Sequence, residues 1–179
     1  MIEIRIHGRG GQGAVTASEL LAIAAFKDGK FTQAFPKFGP ERGGAPVEAY
    51  CRVDDKFILL RTDVYDPNYL IVLDKTLLKA VDVTKGFQKD GVVVVNTDEC
   101  TKINGFETHC IDATKIALET LGRPIVNTTA LGAFVAFTNV VSLKSLEAAL
   151  AERFSGDILV KNIDAVRKAH DIAKKRRED

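Results

Sequence analysis

Apolar and polar positions alternate from the start of the chain. Ile2, Ile4 and Ile6 interleave with Glu3, Arg5 and His7, the period-two pattern of a strand with one buried face. The period then changes: Ala17, Leu20, Leu21, Ala24 and Ala25 fall at i, i+3, i+4, i+7 and i+8. That spacing predicts an amphipathic helix over residues 14–28 that stops before Gly29. Phe31 to Phe35 reads as a short strand. Val47 to Val53 and Phe57 to Leu60 flank Asp54-Asp55-Lys56, a turn short enough to predict an antiparallel hairpin.

Farther along, Tyr69 to Leu73 and Val92 to Val95 are nearly all apolar, as expected of central strands covered by helices on both faces. A helix over residues 74–82 joins them. Thr108 to Ile111 predicts one more strand, followed by a helix capped by Asp112 and closed near Gly122. Asn127 to Phe137, Leu143 to Phe154 behind a Ser142 cap, and Ile163 to Lys174 complete the helical set. Strands alternating with helices, plus one hairpin, predict an α/β fold: a three-layer α/β/α arrangement with a mixed, mainly parallel, Rossmann-like sheet. The pattern shows no linker or repeat, so residues 1–179 read as one domain.

Composition narrows the function classes. A hydrophobic content of 46% suits one buried core, and no apolar run approaches the roughly 20 residues of a membrane span. Charges at Glu3 and Arg5 stand where a signal peptide needs its apolar centre, so the expectation is a cytoplasmic protein with no membrane partner. The formal charge of +1 supplies no general field for nucleic acid. The basic run Lys174-Lys175-Arg176-Arg177 has no interleaved aromatics and reads as a solvated tail that complements a helix dipole. Cys51, Cys100 and Cys110 have no zinc or iron–sulfur spacing and are expected to be buried thiols, so no metal site is expected.

Candidate chemistry gathers in two glycine-rich segments. The first, His7-Gly8-Arg9-Gly10-Gly11-Gln12-Gly13, joins the first strand to the first helix. Gly8-x-Gly10-x-x-Gly13 fits a dinucleotide fingerprint, but a NAD site needs an acid at the end of the second strand, and Phe31 to Phe35 offers none. No Gly-Lys-Ser/Thr follows, which excludes a Walker loop. Two readings stay open: an anion held on the helix N-terminus with help from Arg9, or glycines that let another backbone approach closely. The second segment, Phe38-Gly39-Pro40-Glu41-Arg42-Gly43-Gly44-Ala45-Pro46, brings Lys37 and Arg42 into a turn-forming stretch. Pro36 to Pro46 is the one candidate mobile element. His7, His109 and His170 form no acid–base constellation, and no residue reads as catalytic.

The run from Gln33 through Phe35-Pro36-Lys37-Phe38-Gly39-Pro40-Glu41-Arg42-Gly43-Gly44-Ala45-Pro46 to Ala49 is long and specific. With His7 to Val15 upstream and Asn127-Thr128-Thr129-Ala130-Leu131-Gly132-Ala133 downstream, the chain closely resembles the gamma subunits of 2-oxoacid:ferredoxin oxidoreductases, in the version found in the pyruvate branch. The resemblance implies a cytoplasmic, hetero-oligomeric enzyme of anaerobic metabolism with alpha, beta and delta partner subunits. It implies oxidative decarboxylation of pyruvate with coenzyme A (CoA) to acetyl-CoA and CO2, with electrons passing to ferredoxin. Thiamine diphosphate, Mg2+ and 4Fe–4S clusters are implied for the other chains and none for this one, whose residues include no ligand set for them. From this resemblance and the loops' chemistry, Gly8, Arg9, Gly10, Gly11, Gln12, Gly13, Lys37, Arg42, Gly43 and Gly44 are candidates to bind CoA or another anion. Phe35, Pro36, Phe38, Pro40 and Asn127 are candidate subunit-interface residues. The alternatives are a gamma subunit of a 2-ketoisovalerate or 2-oxoglutarate enzyme, or an independent anion- or nucleotide-binding domain.

Overall fold

The computed structural model describes residues 1–37, 43–100, 102–103 and 105–178. The order of elements is β1 (Ile2–Arg9), α1 (Ala14–Lys27), β2 (Phe31–Pro36), β3 (Pro46–Asp54), β4 (Tyr69–Val72), α2 (Leu77–Ala80), β5 (Val92–Asn96), β6 (Glu107–Ile111), α3 (Ala113–Leu121), α4 (Val126–Thr138), α5 (Leu143–Arg153) and α6 (Gly156–Glu178). The six strands form one mixed sheet in the order β2-β3-β1-β4-β5-β6. β1 pairs with β4 in parallel and with β3 antiparallel; β4, β5 and β6 continue in parallel, and β2 closes the other edge antiparallel to β3.

The alternation in β1 sorts its side chains as expected. Ile4 and Ile6 join Ala49, Cys51, Ile71, Val94 and Ile111 in a core shared with α1, α3, α4, α5 and α6. The opposite face of β4 and β5 buries Leu70, Val72, Val93 and Val95 against Leu77, Val83 and Phe87. Helices were expected on both faces of these strands; the long ones gather on one face, and α2 with the irregular segment after it forms the third layer. The helix expected over residues 74–82 shrinks to the four residues of α2. Asp74 and Asp82 each hold the backbone N–H and hydroxyl of a threonine two residues on, and these local turns compete with helical hydrogen bonding at both ends.

The hairpin also differs from expectation. Residues 57–60 are not a strand, because both sides of β3 are already occupied, by β1 and by β2. The antiparallel hairpin is β2–β3, joined through the glycine-rich second segment. Phe57 and Leu59 consequently stay exposed, and Phe57 meets Phe31 edge-on with ring centroids 6.0 Å apart.

Caps follow the sequence more closely. Asp112 accepts from the Lys115 N–H at 2.8 Å, Ser142 Oγ accepts from the Ser145 N–H at 3.1 Å, and Gly122 ends α3 in the left-handed region. α6 is longer than its apolar spacing predicted, beginning at Gly156 and ending at Glu178. Its basic end is engaged rather than merely solvated: Arg176 Nη1 donates to the Cys110 carbonyl at 2.6 Å, and Arg177 Nη1 to that of Ala136 at 3.1 Å. Cys100 and Cys110 are joined as a disulfide, so only Cys51 is the buried thiol expected of all three. No helix among the described residues is long and apolar enough to cross a membrane.

α4 is buried over twelve consecutive residues, Val126 to Phe137, between the sheet side of the core and α6. Close approach to α6 depends on Gly132, where an added Cβ would stand 2.3 Å from the Val166 carbonyl oxygen. Gly132→Ala should therefore destabilise the fold by about 1–3 kcal/mol through overpacking. Urea denaturation would check this, and an unchanged midpoint would refute the tight α4–α6 contact.

Candidate functional site

β1 ends where the sheet changes direction, with parallel β4 on one side and antiparallel β3 on the other. In α/β sheets the crevice beyond the carboxyl ends of parallel strands, at such a switch point, is the usual ligand position. Here a crevice of about 680 Å³ opens at that edge, lined among others by Gln12, Asp74, Lys75, Asn96, Thr97 and Asp112. The first glycine loop contributes Gln12 to its lining.

The two glycine segments meet at this place. The Gly10 N–H donates to the Ala45 carbonyl at 2.9 Å, and the Gly44 N–H donates back to Gly10 at 3.3 Å. Arg9 Nη1 donates to the Gly44 carbonyl at 3.0 Å. The same guanidinium reaches Asp74 Oδ2 at 3.1 Å and Thr76 Oγ1 at 2.7 Å, while Gln12 Nε2 donates to Asp74 at 3.1 Å. Asp74 thus ties the first loop to the end of β4, and Arg9 carries that tie across to the second.

The remaining glycines have steric reasons to be there. A Cβ on Gly8 would stand 3.3 Å from both Ala14 Cβ and Leu73 Cδ1, and one on Gly13 would stand 2.4 Å from Asn127 Nδ2. Gly11 and Gly13 also have positive φ, 93° and 78°. Asn127 is buried rather than displayed on a surface. Its Nδ2 donates to the Gly13 carbonyl at 3.3 Å, and its Oδ1 has no partner among the described residues.

Other candidates lie elsewhere. Lys37 is on the far face of the sheet, where its Nζ meets Glu48 Oε2 at 3.3 Å, beside the Tyr50 hydroxyl that donates to the same oxygen at 2.8 Å. Phe35 packs on the Tyr50 ring at 5.2 Å, and Pro36 closes β2 beside it. His7 faces this side too, not the loop that follows it: Arg5 Nε donates to its Nε2 at 3.1 Å. Burial lowers the His7 pKa to about 4, and nearby Arg5 and Lys37 act in the same direction against Glu48. The imidazole is therefore neutral at physiological pH. Gly43 is exposed beside Gly44; Phe38, Pro40 and Arg42 lie outside the described residues. Those described contain no group of three His, Cys, Asp or Glu placed to hold a metal ion.

Asp74 is the residue that pattern reading missed. The acid sought for a ribose was at the end of β2, whereas β4 is the parallel strand hydrogen-bonded to β1, and Asp74 stands two residues past its end. Burial pushes the Asp74 carboxyl up, but hydrogen bonds from Thr76 and Gln12 and the Arg9 charge outweigh it, so its pKa lies below the ordinary value. A lowered native pKa contributes stability that is present above the ordinary 3.8 and is lost as pH falls through the native value. Asp74→Asn should cost about 1–3 kcal/mol at neutral pH. The gap between the variant and the wild type should close in acid; guanidinium titrations at several pH values would check both points.

The sequence profile of the pyruvate ferredoxin/flavodoxin oxidoreductase family matches residues 3–172. Pyruvate synthase subunit PorC of Methanocaldococcus jannaschii is 55% identical over 170 residues, covering 95% of this chain and 96% of the relative. The pyruvate/ketoisovalerate oxidoreductases common subunit gamma of Pyrococcus abyssi is 52% identical over 176 residues, covering 94% and 95%. The crystal structure of pyruvate oxidoreductase subunit PORC from Thermotoga maritima superposes with a TM-score of 0.84 at 39% identity, covering 95% of each chain. By sequence along nearly its whole length and by fold, the chain belongs to the pyruvate ferredoxin/flavodoxin oxidoreductase family.

Proposed function

We propose that this chain is the gamma subunit of a pyruvate:ferredoxin oxidoreductase, which oxidatively decarboxylates pyruvate with CoA to acetyl-CoA and CO2 and passes the electrons to ferredoxin. The observation that carries this reading is the full-length match at 55% identity to a pyruvate synthase subunit. Within the complex the chain is non-catalytic. Its most perturbed imidazole, His7, is buried against Arg5, and the described residues gather no metal-binding group. Thiamine diphosphate, Mg2+ and the clusters then reside on alpha, beta and delta partners.

The chain's own contribution is a structured wall. Stapled together at the carboxyl edge of the sheet, Gly8 to Gly13 and Gly43 to Gly44 present a fixed surface beside the crevice, and in this reading they face the route taken by CoA. Phe35, Pro36, Phe38 and Pro40 belong to the surface against a partner subunit. A second reading has specific support: the relative from Pyrococcus abyssi is named as common to pyruvate and ketoisovalerate enzymes, so one gamma chain can serve two 2-oxoacids.

Anaerobic affinity purification from the native host, with CoA-dependent dye reduction measured for pyruvate and for 2-ketoisovalerate, tests the assignment. Co-elution with three larger-complex partners and pyruvate activity is the expected result; a lone inactive chain would overturn it. The loop's role is read separately. Arg9 is committed to Asp74 and Lys37 to Glu48, so Arg42 is the discriminating cation. Arg42→Ala should raise the KM for CoA by about tenfold, as loss of one charge-assisted contact to a phosphate would. An unchanged KM in a weakened complex would assign the second loop to subunit contact alone.

A further inference from the structure

Cys100, in the connection from β5 to β6, and Cys110, on β6, are a pair of cysteines that the proposed function does not use. Cys100 is exposed in the connection, while Cys110 lies on β6 with 5% of its surface accessible. Their Cα atoms are 5.4 Å apart and their sulfurs are bonded, a separation within the range that a disulfide spans without moving the backbone. Cys51, by contrast, is wholly buried, and desolvation pushes its thiol up to about 12. One accessible and one shielded sulfur in bonding reach form a chemically distinct pair.

The pair lies next to the crevice. Two residues before Cys100, Asp98 lines the crevice wall and pairs with Lys75; two residues after Cys110, Asp112 lines it and caps α3. Among the described residues, the connection between them is held at its two ends. The Thr97 N–H donates to Ile111 at 2.9 Å, and Thr97 Oγ1 donates to the Glu99 carbonyl at 2.7 Å. At its other end the Ile103 N–H donates to Thr108 Oγ1 at 3.2 Å, and Ile103 and Phe106 pack on the apolar cluster of β4 and β5. Between these two ends the cross-link ties Cys100 to β6, and closing a loop covalently stabilises chiefly by removing open conformations.

We propose that Cys100 and Cys110 are a reversible thiol–disulfide site that fastens the β5–β6 connection, and with it the Thr97–Asp98 wall of the crevice. In the reduced chain the exposed Cys100 thiolate attacks a small-molecule or protein disulfide. A Cys100 S–S bond forms, the oxidant's own S–S bond breaks, and one thiolate leaves. The Cys110 thiolate then attacks Cys100 Sγ and expels the second thiolate. Two protein thiols lose two electrons, the oxidant gains them as two thiols, and the two thiol protons pass to the leaving sulfurs. A dithiol reductant reverses both steps.

The test uses the full chain, purified anaerobically and equilibrated in buffers of varying oxidised-to-reduced dithiothreitol ratio. Alkylation with peptide mapping reads the thiols, and hydrogen exchange reads the backbone. The expected result is a reversible two-electron conversion confined to Cys100 and Cys110, with Cys51 unlabelled until unfolding. Amide exchange over residues 97–106 should be on the order of tenfold faster in the reduced form. Cys100→Ser, a change at an exposed position, should show the fast exchange in every buffer. Alkylation of both cysteines in the fully oxidised buffer would overturn the proposal. So would equal exchange of the connection in the two states, or protection in Cys100→Ser that matches the oxidised wild type.

Discussion

Everything at the candidate site depends on the two-sided pairing of β1. On one side its partner runs parallel and on the other antiparallel, so the strand's carboxyl end faces two different kinds of neighbour. Toward β4 it meets another carboxyl end and the acid that follows it, Asp74. Toward β3 it meets the start of a strand, and with it the glycine-rich segment that leads there. A loop leaving β1 therefore touches both, and Arg9 spans them because no other position in the sheet offers the pair. The acid that follows β1's parallel neighbour, Asp74, is already engaged by Arg9, Gln12 and Thr76, so the glycine spacing comes without a free carboxylate for a ribose.

The far face of the antiparallel half of the sheet solves a different problem. Arg5, His7, Tyr50 and Arg52 are all nearly inaccessible there, and buried polar groups must find partners. Arg5 does so with the carbonyls of Val83 and Lys85 as well as with His7. Arg52 reaches Glu3 at 2.7 Å and the Asp63 carbonyl at 3.1 Å, and stacks over Phe35. Irregular segments, rather than a helix, can supply such bare carbonyls, because a helix spends its own internally. Burial pushes the Tyr50 hydroxyl up, with its bond to Glu48 adding to the effect; burial also raises Glu48, but Tyr50, His7 and Lys37 more than compensate. The thin third layer is thus matched to a polar half-face.

Local signals in the sequence were the trustworthy ones. Period-two alternation located β1, the run of valines located β5, and Asp112, Ser142 and Gly122 marked helix ends through contacts that span only a few residues. What failed were inferences about neighbours. Phe57 to Leu60 looked like a strand because apolar content says nothing about whether β3 has a vacant edge. Residues 74–82 are an exception on the local side: the Asp74–Thr76 and Asp82–Thr84 turns span two residues each, and apolar spacing outweighed them. At the site, the glycines were visible and their meeting was not, since the Gly10–Ala45 contact joins residues far apart in the chain. The cysteines were misread for the same reason: a spacing of ten positions does not reveal that a strand returns beside its own connection.

α4 is uncharged and buried on every side, and the helix that encloses it on one of them, α6, comes later in the chain. Thr128 donates to Asn162 at 2.8 Å across that contact, and Gly132 sits beneath Val166. Until α6 folds back on it, α4 therefore has no cover on one side. During that interval the nascent polypeptide exposes a greasy, uncharged surface of the type that chaperones recognise and that promotes aggregation. Docking of α6 thus acts as a closing step of folding for this core, and the yield of folded chain depends on how promptly it occurs.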